Sequence, residues 1–323
     1  MIGWMSRSEW FRPGSSPRRT RLLMTGAFVG ALLVLALSVM FSWPVEVNNP
    51  IAAVDKEAER ADKAFNSPAG SCLTWTKADA SDMREVRCEQ PHLFEMIGVL
   101  DISKQLGPQA PFPGMQQWRE FTEERCTPKV NDYLGKKFDP HGKLSVSTLR
   151  PTEEQWAEGD RKLRCGLKRT SPGGELQELT VPAAEENQSD VYQPGTCLAL
   201  AGNTVGDPID CEKAHAFEMA SVVDLGKKFT EGFPSEGDQN SFLDRECSKR
   251  VDEYSGSKDL KENSLVLTWD TRTKESWEAG SKLVNCKIAA KPKDKTSLAP
   301  VTGSFQKAPP TSSKPPKKST GGK

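Results

Sequence analysis

Motifs typical of the common enzyme classes are absent from this sequence. Its 323 residues include three histidines and no H-E-x-x-H, G-x-S-x-G, G-x-G-x-x-G or P-loop motif. Zinc-protease, serine-hydrolase and nucleotide-binding sites are therefore not indicated. No two cysteines have C-x-x-C spacing, which argues against a zinc ribbon and a thioredoxin-type redox site. We predict a protein that is not an enzyme, with no catalytic residue, no cofactor and no metal site.

The sequence also lacks net charge and a large hydrophobic share. Its 44 Lys and Arg residues balance its 44 Asp and Glu residues, which disfavours a strongly basic nucleic-acid binder. Hydrophobic residues make up 36%, and the mean hydropathy is -0.58. These values are typical of smaller modules joined by polar segments rather than of one large core. We predict no nucleic-acid partner.

One long apolar run near the N-terminus contrasts with the polar remainder. No charged residue occurs from Leu22 to Val45, and five arginines with one glutamate precede the run. This length is sufficient to cross a hydrocarbon layer of about 30 Å as a helix. We predict a transmembrane helix over residues 22–43 behind a basic cytoplasmic tail, residues 1–21, with the rest of this single-pass protein outside the cytoplasm. A cleaved signal peptide is the alternative, although its apolar region is usually shorter.

The eight cysteines indicate an internal duplication. They form two sets of four with nearly equal spacing, and neighbouring blocks agree: CEQPHLFEMIGVLDIS returns as CEKAHAFEMASVVDLG, and TEEQWAEGDRKLRC returns as TKESWEAGSKLVNC. Repetition of several blocks in the same order predicts two copies of one module. The predicted organisation after the anchor is a spacer at 44–67, a first module at 68–169, an acidic linker at 170–193, a second module at 194–289 and a disordered Lys/Pro-rich tail at 290–323.

Each module is predicted to be an α+β fold with an antiparallel sheet, stabilised by disulfides, because cysteines outside the cytoplasm are normally oxidised. Four cysteines allow three pairings. We favour first with second, since a short separation suits adjacent strands, and third with fourth, which ties the helix to the last strand. The longer loops would each stabilise the fold by roughly 3–4 kcal/mol. The predicted pairs are Cys72–Cys88, Cys126–Cys165, Cys197–Cys211 and Cys247–Cys286.

Local signals place two kinds of helix in each module. The segment 116–134 has helical periodicity interrupted by Pro128, which predicts a kink that the second module does not require. Thr152 and Thr273 precede short segments that carry a tryptophan, and threonine at such a position predicts a helix N-cap.

The most distinctive polar motif is H-x-F-E, which pairs His92 with Glu95 and His215 with Glu218. Residues three apart on a strand face opposite sides, so we predict that each histidine and glutamate do not converge. Each histidine is expected to bond nearby backbone. A metal site shared between modules and an acid–base pair are the alternatives.

Tryptophans and the C-terminal tail are further candidates for interaction. Trp156 and Trp277 recur at matching positions, whereas Trp118 occurs in the first module alone. Such residues either anchor a partner or pack in the core. The lysine-rich tail either contacts anionic wall polymers or lipid headgroups, or is simply solvated.

Several linked motifs resemble those of the septum-formation domain family of actinobacterial membrane proteins. They are SCLTW, VRCEQPHLFEMIGVLDIS, PFP, W-x-x-F-x-x-E-R-C, YLG and LRPTEEQWAEGDRKLRCGL, within residues 70–168. The second copy is a weaker match: it lacks the proline before His215 and has Ser281 and Lys282 in place of Asp160 and Arg161. The resemblance implies a role in septation or cell division at the envelope and supplies no catalytic residues.

Together these features predict a non-enzymatic protein, anchored in the cell membrane, that binds division proteins or cell-wall components through its modules. One alternative is an extracytoplasmic wall enzyme that uses His92 and Glu95. Another is a sensor ectodomain, whose cytoplasmic part would have to bind a separate signalling domain.

Overall fold

The computed structural model describes residues 50–256, 259–291 and 297–307. The predicted cytoplasmic tail and transmembrane helix lie outside these ranges, as do residues 44–49 of the predicted spacer and residues 292–296 and 308–323 of the predicted tail. Among the residues described, no helix has the length and apolar character needed to span a bilayer.

The first sheet and its helices come from the first half of the described chain. Helix α1 precedes the sheet. Two short helices lie between β3 and β4, and a third lies between β4 and β5. The elements are α1 Pro50–Phe65, β1 Cys72–Thr74, β2 Arg84–Val86, β3 Phe94–Asp101, α2 Met115–Phe121, α3 Val130–Leu134, β4 Leu144–Leu149, α4 Glu153–Ala157, β5 Lys162–Thr170 and β6 Leu176–Gln177.

The second sheet and its helices follow. Its helix α5 is the longest in this part of the chain. The elements are β7 Cys197–Ala201, β8 Thr204–Ile209, β9 His215–Asp224, α5 Glu236–Ser255, β10 Leu265–Trp269, α6 Lys274–Glu278 and β11 Leu283–Ala290.

Both sheets are antiparallel and have corresponding strand orders. The first runs β2-β1-β3-β5-β4, with β6 paired to the end of β5, and the second runs β8-β7-β9-β11-β10. The α+β fold with antiparallel sheets is thus confirmed. The four predicted disulfides are present, and each joins Cα atoms 5.3 or 5.4 Å apart.

The first sheet is covered on both faces near its centre. Cys126 and Trp118 from the helical side pack with Ile97 in one core, while Phe94 and Ala64 of α1 belong to a second. The first four residues of β3 are consequently all buried, and the alternation expected for a strand with one covered face appears only in its second half. Both faces are buried there because α1 covers the second face.

Arg164 fixes the end of α1 to the sheet. This side chain is 2% exposed. Its Nη2 donates to Asn66 Oδ1 at 2.7 Å and to Asp160 Oδ2 at 2.9 Å. Its guanidinium also lies 3.8 Å from the centre of the Phe65 ring. The end of α1 is therefore held to the first sheet by a buried arginine.

The predicted interruption at Pro128 is confirmed. Between α2 and α3 the chain forms a π-helical turn, Thr122–Cys126, and then a 3₁₀ turn, Thr127–Lys129. Proline has no N–H, and its ring clashes with the carbonyl four residues earlier, so a regular helix cannot continue through it. The second sheet has Lys249 at this position, and α5 is continuous over 20 residues.

Both predicted threonine caps are present. Thr152 Oγ1 accepts from the Gln155 N–H at 3.2 Å, and the Gln155 side chain accepts from the Thr152 N–H, which completes a capping box. Thr273 Oγ1 accepts from the Ser276 N–H at 3.3 Å. Each bond satisfies a backbone N–H that the first turn of a helix leaves without a partner.

Buried polar contacts join the two sheet regions. Asp139 Oδ1 accepts from Ser276 Oγ at 2.9 Å. Gln188, in the predicted linker, accepts from the Asp139 N–H at 3.0 Å and donates to the carbonyls of Lys137 at 2.8 Å and Ala279 at 3.3 Å. The segment between the modules therefore bonds to both of them.

Candidate functional site

The recurring histidine and glutamate of the first sheet are buried and close together. His92 is 0% and Glu95 1% exposed, and His92 Nε2 lies 3.6 Å from Glu95 Oε2. The prediction that these side chains do not converge was wrong. Strand β3 begins at Phe94, so His92 precedes the regular strand, and the two-residue alternation does not extend back to it. We call His92, Glu95 and the neighbouring Tyr133 the first His–Glu site.

Glu95 holds the chain that follows the first sheet. Its Oε1 accepts from the Tyr133 hydroxyl at 2.6 Å, and its Oε2 accepts from the Ala183 N–H at 2.7 Å. The backbone of His92 exchanges two hydrogen bonds with Leu179, at 2.9 and 2.8 Å. Residues 179–183, part of the predicted linker, are thus attached to the first His–Glu site.

In the second sheet, Glu218 makes the corresponding contacts with a tyrosine and with the start of the C-terminal tail. Glu218 Oε1 accepts from the Tyr254 hydroxyl at 2.7 Å and from Ser304 Oγ at 2.6 Å, and its Oε2 accepts from the Phe305 N–H at 2.9 Å. His215 and Val301 exchange backbone hydrogen bonds of 2.9 and 2.8 Å. We call His215, Glu218 and Tyr254 the second His–Glu site.

The expected bond from each histidine to nearby backbone is confirmed. Nδ1 of His92 lies 2.9 Å from the Gln90 carbonyl, and Nδ1 of His215 lies 2.8 Å from the Lys213 carbonyl. A carbonyl only accepts, so Nδ1 carries the proton in both rings. The bond to a carbonyl two residues earlier therefore orients each imidazole independently of the glutamate.

The charges of the first His–Glu site support each other. Burial lowers the pKa of His92, but the Glu95 carboxylate and the Gln90 carbonyl outweigh it and leave this pKa above its ordinary 6.5. Burial raises the pKa of Glu95, yet contacts with His92, Tyr133 and the Ala183 N–H leave it below its ordinary 4.5. Burial and Glu95 together raise the pKa of Tyr133, so its hydroxyl remains a hydrogen-bond donor.

These shifts predict a stability maximum between about pH 4.5 and 6.5. A raised histidine pKa stabilises the folded state below about 6.5, and this contribution is lost as pH rises through the folded-state pKa. A lowered glutamate pKa stabilises it above about 4.5, and this contribution is lost as pH falls. Urea unfolding of the oxidised protein at several pH values measures both limbs. In His92→Asn the decline above about pH 6.5 should become shallower; an unchanged decline would contradict the assignment.

Two groups of potential metal ligands occur among the described residues, and each contains a disulfide. Oxygen and sulfur atoms of Cys72, Cys88 and Glu95 lie within 4.8 Å of one another, as do those of Cys197, Cys211 and Glu218. The sulfurs are bonded to each other and offer no thiolate, which is the form that binds a metal. One carboxylate per group remains, and that is too few ligands for a structural metal ion.

An open depression of about 860 Å³ borders the first His–Glu site. Glu85 and Glu89 contribute to its lining, together with Glu95 and Tyr133. Glu85 accepts from Ser71 Oγ at 2.8 Å. The lining is rich in carboxylates, so the depression is suited to cationic rather than anionic molecules.

The three candidate tryptophans lie in the core. Trp118 and Trp156 are 3% and Trp277 is 8% exposed. The rings of Trp118 and Trp156 meet edge to face, with centroids 5.7 Å apart, and Phe112 contacts both. All seven residues proposed from the sequence for interaction are therefore buried, and none presents its side chain to solvent.

The most informative residues that sequence reasoning missed are those that bond the glutamates from a distance. Ala183 and Phe305 use backbone N–H groups, for which no side-chain signal exists. Tyr133 and Tyr254 recur at matching positions, each two residues before a glycine, and this recurrence was the available signal for them.

Comparison with known proteins finds relatives that are named as membrane proteins. The chain is 32% identical over 289 residues to proteins named as uncharacterized membrane proteins from two strains of Mycobacterium tuberculosis. The alignment covers 85% of this chain and 64% of those relatives, so the chain spans less than two thirds of their length. No solved structure matches it. The profile described as septum formation matches residues 69–286. The chain therefore belongs to the septum formation family.

Proposed function

We propose that this chain is a non-enzymatic, single-pass envelope protein with two extracytoplasmic copies of the septum-formation module, which bind division proteins or cell-wall components. Family membership supports the connection with septation, and the names of the relatives support a membrane location. The N-terminal apolar run provides the anchor.

Matching features of the two halves support duplication. The sheets have corresponding strand orders. In each half one disulfide joins the first strand to the turn after the second, while the other joins the helical segment to the last long strand. A glutamate in each half accepts from a tyrosine hydroxyl and from the chain that follows. Duplication of one module accounts for all three correspondences at once.

Both glutamates accept hydrogen bonds from groups of the chain itself, and this observation carries the argument for binding rather than catalysis. A general acid or base must reach a substrate atom. Glu95 and Glu218 are 1% and 0% exposed and accept hydrogen bonds from tyrosine and backbone. We infer that their role is to attach neighbouring segments to each sheet.

Depletion of the protein in cells tests the septal role. We expect longer cells and misplaced septa, because loss of an envelope protein that binds division components should disturb the site of division. Unchanged cell length and septum placement would contradict the proposal.

Complementation with His92→Asn separates the wall-enzyme alternative from the proposed function. An enzyme that used His92 should lose all complementation while its thermal transition stays near that of the wild type. A structural role predicts that complementation falls only as stability falls. His141→Asn is the matched control, because His141 is exposed in a turn.

A further inference from the structure

A groove lies between helix α2 and edge strand β4 of the first sheet. Among the described strands β4 pairs with β5 alone, so its other edge has unpaired N–H and C=O groups. The groove, of about 510 Å³, is lined in succession by Val146, Ser147 and Thr148. Consecutive strand residues point to opposite faces. Because three consecutive residues line the groove, it runs along the edge of the strand rather than over one face.

The groove carries more positive than negative charge. Arg119, Arg150 and Lys168 line it, against the single carboxylate of Glu123. Met115 also lines it and is 61% exposed, with its Sδ 2.9 Å from Arg150 Nη1. Cations around an exposed methionine complement a segment that combines carboxylates with an apolar side chain.

In the second sheet a tryptophan spans the positions that correspond to this groove. Counted from the paired cysteines and the capping threonines, Trp269 occupies the position of Thr148, and its Nε1 donates to Asn240 Oδ1 at 2.9 Å. The indole thus bridges β10 and α5, where the first sheet has only a 3.2 Å contact between two threonine hydroxyls. The positions of the three cations are Asn240, Thr271 and Ala289. An open and basic groove is therefore a property of the first sheet.

We propose that an acidic, extended segment of a partner protein binds in this groove by adding a strand to β4. Alternating donors and acceptors on the strand edge complement a peptide backbone, which an anionic polysaccharide lacks. The proposal rests on the binding function proposed above and names the chemistry of the partner for the first module.

Titration of the full-length oxidised protein with labelled synthetic peptides tests the proposal. The probe alternates Glu with Val, and one comparison peptide has Gln in place of each Glu. A second comparison peptide is N-methylated at alternate positions, which removes strand pairing but keeps the charge. We expect the acidic probe to bind in a salt-dependent manner and both comparison peptides to bind about tenfold more weakly or less.

Variants that make the first groove resemble the second locate the site. Thr148→Trp should weaken binding of the acidic probe by about tenfold. Glu89→Trp, at an exposed side chain outside the groove, is the matched control and should leave binding unchanged. Arg119→Asn combined with Lys168→Ala should weaken it about two- to fivefold per cation at low salt. Arg119 is exposed and Lys168 half-buried, and both substitutions should leave the fold intact.

Equal binding to the wild type and to the double charge variant would overturn the proposal. Tight binding of the N-methylated peptide, together with full competition by long-chain polyphosphate, would also overturn it in favour of a general polyanion site. If the acidic probe does not bind but depletion gives longer cells and misplaced septa, the proposed groove is refuted and the septal role is not. A depletion without phenotype would refute the septal role and leave the binding result standing.

Discussion

Glu95→Ala should lower the free energy of unfolding by about 3–5 kcal/mol, the range for removing one partner of a buried charged pair. It deprives the Tyr133 hydroxyl and the Ala183 N–H of their acceptor and leaves His92 without its counterion. Each buried group left without a partner costs about 1–3 kcal/mol. Urea unfolding followed by tryptophan fluorescence measures the loss.

Hydrogen exchange tests where the loss arises. The amides of Leu179 and Ala183 should exchange faster in Glu95→Ala, because residues 179–183 are attached through this site. Residues 301–305 should not change, since they depend on Glu218. Glu89→Ala, at an exposed carboxylate near the same site, serves as the matched control and should change neither quantity. Unchanged protection of residues 179–183 would contradict the assigned attachment.

Removing the Cys126–Cys165 disulfide, as Cys126→Ala with Cys165→Ala, should cost about 4 kcal/mol. The bond closes a separation of 39 residues, and the chain-entropy model relates the cost to loop length. Because both sulfurs lie in the core, loss of packing adds to the entropic cost. Urea unfolding of the purified variant measures it.

The other disulfides provide internal controls for this prediction. Cys247–Cys286 closes the same separation, 39 residues, and its removal should cost a similar amount. Cys72–Cys88 closes 16 residues and should cost about 3 kcal/mol in the same model. A larger loss from the short loop than from both long ones would contradict the loop-length account. Peptide mapping that linked Cys72 to Cys165 would contradict the pairing itself.

The reliable sequence predictions depended on local or strongly constrained chemistry. Thr152 and Thr273 were identifiable as caps because a capping bond spans three residues. Pro128 indicated an interruption because its effect is confined to its own turn of helix. The disulfides followed from spacing, since a short separation suits adjacent strands and the remaining cysteines then have one pairing left.

The contacts of the His–Glu sites could not be predicted from local sequence rules. The two-residue alternation of a strand applied only from Phe94 onward, and so it gave the wrong geometry for His92. Their main contacts come from segments that the sequence marked as linker or tail, and those contacts use backbone groups that carry no residue-specific signal. Composition described residues 179–183 and 301–305 as polar connections, whereas hydrogen bonds to buried carboxylates attach them to the sheets.

The sequence by itself determined the caps and the α+β class and favoured the disulfide pairs that are present, because each depends on spacing or on a few adjacent residues. Tertiary structure alone decided that α1 covers a second face of the sheet, that Asp139 meets Ser276, and that Thr148 leaves open a groove that Trp269 fills. These features depend on the shapes and distances of side chains far apart in the chain. Such contacts form only when the folded sheets bring these residues together, and spacing along the chain does not predict them.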